Sequence, residues 1–276
     1  MPKGFVRWQN LIGIGRDSVR LDQLIVERGL APSKTKAQAL IKQGCVQLKQ
    51  PGKNQQEFKV ITKSGFEVAS PDQVELKVVP LPEQRFVSRS GLKLADALED
   101  LELRVNGWSV LDVGQSTGGF TQALLNAGVE KVVGIDVGHD QLSAVLRADQ
   151  RVQSFEGVNA RNAEEIGQKT QLCENQMDML VMDVSFISLE KVLPSVVLFL
   201  KPGGLLLSLV KPQFELDKSK LDKSGVVKDD KDYLVVQNNV IQWVEQAGLQ
   251  VQKYFESSIR GGDGNLEFFV FAKKEK

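Results

Sequence analysis

The segment 110–120, VLDVGQSTGGF, limits the fold more than any other part of this 276-residue chain. It opens apolar, as a strand buried on both faces does, and then breaks into a small-residue loop at Gly114, Gly118 and Gly119. Glycine lets a backbone turn tightly and approach a ligand with no Cβ in the way. The run Thr121 to Ala127 then reads as a helix whose first amide groups point back at the loop. A second apolar run, VVGID, ends in Asp136. Strand, glycine loop, helix and a strand ending in an acid predict the ribose-reading half of a Rossmann-like α/β fold.

The loop also excludes ligands. A dinucleotide site reads G-x-G-x-x-G, whereas this loop reads G-Q-S-T-G-G, with Ser116 where a glycine would admit a pyrophosphate. The triphosphate loop G-x-x-x-x-G-K-[ST] is absent too. A nucleoside without phosphates and with an amino-acid tail suits the loop better, which describes S-adenosyl-L-methionine.

Net charge is zero but unevenly placed. Residues 1–90 hold 15 Lys+Arg against 8 Asp+Glu, and the remainder holds 20 against 27. A basic front piece bound to a polyanion and a more acidic catalytic piece follow from that asymmetry. The two cysteines, Cys45 and Cys173, match no metal spacing and read as buried thiols in a reducing compartment, the cytoplasm. No metal is required. The N-terminus lacks the apolar core of a signal peptide. The longest apolar stretch, residues 192–210, is interrupted by Lys201-Pro202-Gly203-Gly204. It therefore reads as a helix end, a turn and a strand rather than a membrane span.

Residues 1–17 show no period and read as an arm. In residues 18–79, Leu21, Leu24, Ile25 and Leu30 lie near helical spacing, with Gly29 as a cap. Ser33 N-caps a second helix whose Ala37, Leu40 and Ile41 face the core, and Gly44 ends it. Short strands follow through Val79. Arg20, Arg28, Lys34, Lys36 and Lys42 lie on the polar faces, as expected of a module that reads phosphate backbone without choosing sequence. The runs RLDQLIVERGL, AQALI and GCVQL resemble the S4 RNA-binding domain. Where that family has a short turn after its first strand, this chain has the longer LKQPGKNQQEFKV.

Residues 80–87, with two prolines, read as a stiff linker. In residues 88–276 a helix with apolar Leu92, Ala95, Leu98 and Leu101 precedes the sheet, with Lys93 in its first turn. VQSFEG and MDMLVMDVSFISL are further strands, the latter running into Asp183. VLPSVVLFLKPGG is a helix and its stop. LLLSLVKPQFE is a strand ending at Lys211-Pro212. LDKSKLDKSGVVKDDKD reads as a mobile loop, residues 234–248 as an amphipathic helix, and LQVQKYFESS as a strand. The turn GGDGN enters the last strand, LEFFVFAKK, which must therefore run antiparallel to the rest.

Such a sheet carries its site beyond the carboxyl ends of its strands. Asp112, Asp136, Asp183 and Lys211 fall at or near those ends. Glu267, starting the antiparallel strand, lies on the same edge. Lys93, Asp183, Lys211 and Glu267 can thus converge on one rim. Two amines beside two carboxylates suit removal of a proton from a poor acid such as a ribose 2′-hydroxyl. Lys211 is the candidate base and Lys93 the second cation.

The runs SRSGLKL, LDVGQSTGGFTQALL, IDVGHDQL, LRADQRV, MDVSFISL, LVKPQFE, GVVKD and GNLEFF resemble, in order, the motifs of the TlyA family. These are ribosomal RNA 2′-O-methyltransferases historically labelled hemolysins and related to the FtsJ-type methyltransferases. The resemblance implies methyl transfer from S-adenosyl-L-methionine to a cytidine ribose of ribosomal RNA in a ribosomal subunit. It implies a Lys-Asp-Lys-Glu tetrad at Lys93, Asp183, Lys211 and Glu267. The cofactor side falls on Asp112, Gly114, Gln115, Ser116, Thr117, Gly118, Asp136, Asn159 and Asp183. This chain departs from the family at Ser90 and Gln115, where glycine and alanine are usual, and at His139-Asp140. A longer side chain at Gln115 would crowd the methionine tail or add a hydrogen bond. His139 reads as a cofactor-side surface residue. Two other classes of function remain open from sequence: a non-catalytic ribosome-assembly factor and a membrane-active hemolysin.

Overall fold

The computed structural model describes residues 18–50, 57–79 and 85–275. The expected arm (1–17), part of the expected linker (80–84) and the turn at 51–56 lie outside the described residues. The chain divides into two units between residues 81 and 82.

The first unit runs β1 (Ser18–Arg20), α1 (Leu21–Glu27), α2 (Lys34–Lys42), β2 (Val46–Lys49), β3 (Lys59–Val60), β4 (Glu67–Ala69) and β5 (Glu75–Val78). Antiparallel strands lie in the order β3-β2-β5, and β1 pairs with β4. Leu21, Ile25, Ala37, Ile41, Val46 and Leu48 share one core. Ser33 caps α2 by accepting the Lys36 N–H at 3.3 Å. Leu30 is exposed rather than core-facing, because α1 has ended and Gly29 at φ +67° turns the chain first.

The second unit opens with α3 (Ser90–Asp100). β6 (Ser109–Val113), α4 (Gly119–Asn126), β7 (Lys131–Asp136), α5 (Ala144–Arg147), β8 (Val152–Glu156), α6 (Ala163–Thr170) and β9 (Met177–Met182) follow. Then come α7 (Leu193–Val196), β10 (Leu200–Val210), α8 (Pro212–Glu215), α9 (Lys231–Gln246), β11 (Leu249–Glu256) and β12 (Phe268–Lys274). Seven strands form one sheet in the order β11-β12-β10-β9-β6-β7-β8. β12 is antiparallel to both neighbours, as the GGDGN turn required, and the pairs from β10 to β8 are parallel.

Alternation along each strand builds two cores. Leu111, Val113, Leu180 and Met182 face Ile166 of α6 and Val236, Val240 and Val244 of α9. Val110, Met179 and Val181 face Leu94, Ala97 and Leu98 of α3 and Phe120 and Leu124 of α4. With both faces covered, the strands read as continuous apolar runs.

Four expectations need correction. The buried face of α3 is Leu94, Ala97 and Leu98, with Lys93 on it; Leu92, Ala95 and Leu101 are only partly covered. Lys201 to Gly204 is not a turn before the strand. It lies inside β10, where the pairing with β9 shifts between Leu200 and Leu205. The charged stretch at 216–232 is folded: Leu221 bridges Val227, Asp222 accepts the Ser224 and Val226 N–H groups, and Lys220 pairs with buried Asp232. Cys45 is buried, but Cys173 is exposed.

Candidate active site

The glycine loop turns between β6 and α4. Gly114 and Gly118 both have positive φ, +82° and +94°. A Cβ at Gly114 would fall 2.7 Å from the Asp183 carbonyl oxygen, and one at Gly118 2.3 Å from a Leu146 methyl carbon. Both positions therefore exclude side chains on steric and conformational grounds. Asp136, ending β7, accepts the Ser116 N–H at 2.7 Å on one oxygen and the Gly138 N–H at 2.7 Å on the other. The acid thus shapes the loop while lining the cleft beside it.

That cleft has a volume of 690 Å³, in the range of small-molecule sites. Gly114, Ser116, Asp136, Asn159 and Asp183 line it among apolar Ile135, Val158 and Ile187. A smaller pocket of 210 Å³ adjoins it, lined by Gln115, Thr117, Ser88, Ser90 and Lys211. The two share Gly114, Ser116, Asp183 and Ser185 as a common wall. Gly118 and Asp112 line neither.

Gln115 and Asp112 lie beneath the loop. The Gln115 side chain is buried, donating to Thr121 Oγ1 at 2.9 Å and accepting from Ser154 Oγ at 2.6 Å. Thr121 Oγ1 in turn donates to Asp112 Oδ2 at 2.6 Å. Burial, reinforced by Asp183 and Asp136, pushes the Asp112 carboxyl up to about 7. Gln115 therefore neither crowds the cleft nor reaches into it with its amide. His139 is exposed and rests over Gly157, a surface residue as expected.

The four charged rim residues form two ion pairs. Lys93, on the buried face of α3, pairs with Glu267; they are 6% and 3% exposed. Lys211 Nζ lies 2.6 Å from an Asp183 carboxylate oxygen and 2.8 Å from Ser185 Oγ. The Asp183 N–H donates to the Val113 carbonyl at 3.0 Å, which anchors that pair beside the loop. Lys211 directly follows Val210 and Glu267 directly precedes Phe268, and Val210 and Phe268 are antiparallel partners across β10 and β12. The two pairs thus start from the same end of β10 and β12, but Lys93 and Glu267 line neither pocket.

Sequence reasoning missed Ser185, which shares Lys211 with Asp183, and Phe186, which is 90% exposed and packs on Phe214 with ring centroids 4.9 Å apart. Both belong to an apolar run that reads as strand until Asp183 ends it.

In the first unit, Lys34, Lys36 and Lys42 are exposed. The two arginines hold internal partners. Arg20 donates to Asp22 through Nε at 3.1 Å and Nη2 at 2.9 Å, which draws the Asp22 carboxyl down to about 2. Arg28 donates to the Val74 and Pro71 carbonyls at 2.9 and 2.5 Å.

A mostly parallel sheet with an antiparallel β12, a glycine loop after its first strand and an acid ending the second defines the S-adenosylmethionine-dependent methyltransferases. The family comparisons agree. Residues 86–274 match the FtsJ-like methyltransferases and residues 19–48 the S4 domain. The chain is 35% identical over 261 residues to the 16S/23S rRNA (cytidine-2′-O)-methyltransferase TlyA of Mycobacterium tuberculosis, covering 93% of this chain and 90% of that one. It is 33% identical over 252 residues to Hemolysin A of Brachyspira hyodysenteriae, covering 91% and 98%. A solved Streptococcus thermophilus protein labelled a hemolysin superposes with a TM-score of 0.66 at 32% identity, covering 94% and 90%. The chain belongs to the FtsJ-like methyltransferase family, carries an S4 domain, and uses S-adenosyl-L-methionine as its cofactor.

Proposed function

We propose that this protein transfers a methyl group from S-adenosyl-L-methionine to the 2′-hydroxyl of a cytidine in ribosomal RNA, acting on ribosomal subunits in the cytoplasm. The observation that carries this reading is the wall shared by the two pockets. Asp183 and Ser185 border the cofactor-sized cleft on one side and hold Lys211 on the other. When bound, the cofactor supplies a methyl group on a sulfonium, which any oxygen nucleophile in line with it can take.

The chain's own residues supply the rest. Gly114 and Ser116 of the loop, with Asp136 and Asn159, hold the nucleoside and its tail in the cleft. Lys211 Nζ lines the smaller pocket, where it binds the acceptor hydroxyl, and the Lys211–Asp183 pair takes up the proton as the oxygen attacks. Asp183 and Ser185 fix that amine in place. Lys93 and Glu267 form a buried ion pair at the same end of the sheet. Phe186, exposed beside Ser185, offers a ring on which a nucleobase stacks while its ribose enters. Lys34, Lys36 and Lys42 supply sequence-independent attraction to the phosphate backbone. Among the described residues no helix is long and apolar enough to cross a membrane.

The test is transfer of labelled methyl groups from S-adenosyl-L-methionine into ribosomal subunits from a strain lacking this protein. Lys211→Ala abolishes transfer while cofactor binding stays intact. Undiminished transfer by that variant would remove Lys211 from the chemistry.

A further inference from the structure

Three contacts join the loop after β9 to α8, the helical turn that follows Lys211. Lys211 Nζ bonds Ser185 Oγ at 2.8 Å. Phe186 packs on Phe214, with ring centroids 4.9 Å apart. Glu215 Oε1 accepts the Leu189 N–H at 3.0 Å. The third contact is the most deeply placed. Leu189 is 1% exposed, so its N–H has no water to fall back on. Glu215 Oε2 is itself buried with no hydrogen-bond partner among the described residues. Burial raises this carboxyl above its ordinary value.

The segment between these anchors contains a strained residue. Phe186 sits at φ +64°, in the left-handed region that residues with side chains rarely adopt. Such strain persists only where the surroundings fix it. Ser185 and Phe186 are both exposed, so little packing does so on the segment's outer side. On its inner side, Val184, Ile187 and Leu189 pack on the core, and the Leu189 N–H makes the hydrogen bond that ties this stretch to α8.

We propose that Glu215 is a positioning residue for methyl transfer: its hydrogen bond to Leu189 fixes the segment that carries Ser185 and Phe186, and so fixes Lys211. It reaches the reacting atoms through Ser185 and Lys211 and touches no substrate. An amine held by two oxygens loses its aim if one of them drifts, and a displacement of about 1 Å can cost roughly a hundredfold in rate. The inference rests on the ribose-methylation reading and adds to it a residue outside both pockets.

The experiment compares Glu215→Ala, Glu215→Asp and Glu215→Gln with the unaltered protein and with Lys211→Ala. Initial rates are measured on ribosomal subunits from a strain lacking this protein, and S-adenosyl-L-methionine binding by calorimetry. Glu215→Gln keeps a carbonyl oxygen at full reach and retains kcat within about threefold of the unaltered protein. Glu215→Asp keeps the charge but is one methylene too short, and Glu215→Ala has neither. Both lose about ten- to a hundredfold in kcat, with cofactor affinity unchanged. If Glu215→Ala fails to fold, Glu215→Asp carries the test. Full kcat in a folded Glu215→Asp overturns the proposal, and so does a Glu215→Gln as slow as Glu215→Asp. Failure of the underlying reading looks different: no transfer by the unaltered protein, or full transfer by Lys211→Ala.

Discussion

Gln115 lies so close over Gly134 that a Cβ on the glycine would fall 2.0 Å from both Cδ and Nε2 of the glutamine. Gly134 is in the middle of β7, where a glycine otherwise weakens a strand. It is there because Gln115 fills the space its side chain would take. Gln115 in turn links Ser154 of β8 to Thr121 of α4. Gly134→Ala destabilises the protein by about 1–3 kcal/mol through overpacking. Gln115→Ala destabilises it by a similar amount, leaving a void and an unpaired Ser154 hydroxyl. The double variant is more stable than the sum of the two losses by about 1 kcal/mol or more, because the alanine methyl at 134 then occupies emptied space. Chemical denaturation of the four proteins checks this, and simple additivity would refute the coupling.

Asp112 ends the same hydrogen-bond chain, and its carboxyl is raised from 3.8 to about 7, chiefly by burial. A carboxyl raised on folding binds more protons in the native state than in the unfolded state between those two values. The stability tied to its proton is thus complete below about 4 and is lost as pH rises through about 7. Asp112→Asn keeps an oxygen for Thr121 and removes the titration. Melting temperatures measured from pH 5 to pH 8 should fall in the unaltered protein relative to the variant. Parallel profiles would show that Asp112 is ionised throughout.

Where the chain was readable, a single physical rule decided each feature. The short turn at 261–265 fixed the direction of β12 and so placed Glu267 on the rim with Lys211, without any knowledge of side-chain contacts. Asp136 and the loop glycines were legible because strand spacing and the absence of Cβ atoms leave few alternatives. The direction of the Gln115 side chain was not legible, because nothing local says that Gly134, nineteen positions on, leaves it a slot. The buried face of α3 was not legible even with Lys93 expected on the rim, since nothing local says that a lysine paired with Glu267 shares that face with Leu94, Ala97 and Leu98. The internal partners of Arg20 and Arg28 were not legible, because charge is visible in sequence and its partner is not. The folded charged loop escaped for the same reason: its carboxylates bind its own amide groups.

The basic residues of the first unit should accordingly separate into two groups. Replacing Lys34, Lys36 and Lys42 together by alanine leaves the melting temperature within about 2 °C, as surface changes do, and lowers the salt dependence of RNA binding. Arg28→Ala removes the donor to the buried turn at Pro71 and Val74, so this unit should lose about 1–3 kcal/mol. Filter binding across a salt series, paired with thermal melts, resolves the two effects. An Arg28→Ala protein of full stability but weakened binding would return that arginine to the RNA surface.

The two rim ion pairs should respond differently to loss of their lysines. Glu267 is buried at 3% exposure, so Lys93→Ala leaves a carboxylate with neither water nor its partner, a situation that costs about 3–5 kcal/mol. Lys211 and Asp183 are 13% and 16% exposed and line a pocket, although the Asp183 oxygen facing the amine is itself buried, so Lys211→Ala should lose less, about 1–2 kcal/mol. Both variants lose methyl transfer, but for separable reasons. Combining Lys93→Ala with Glu267→Ala removes the stranded charge and should recover much of the lost stability while transfer stays absent. Denaturation midpoints and transfer rates on the same four proteins give the comparison. If the double variant regains transfer together with stability, the buried pair serves only the fold, and the chemistry belongs to Lys211 and Asp183 alone.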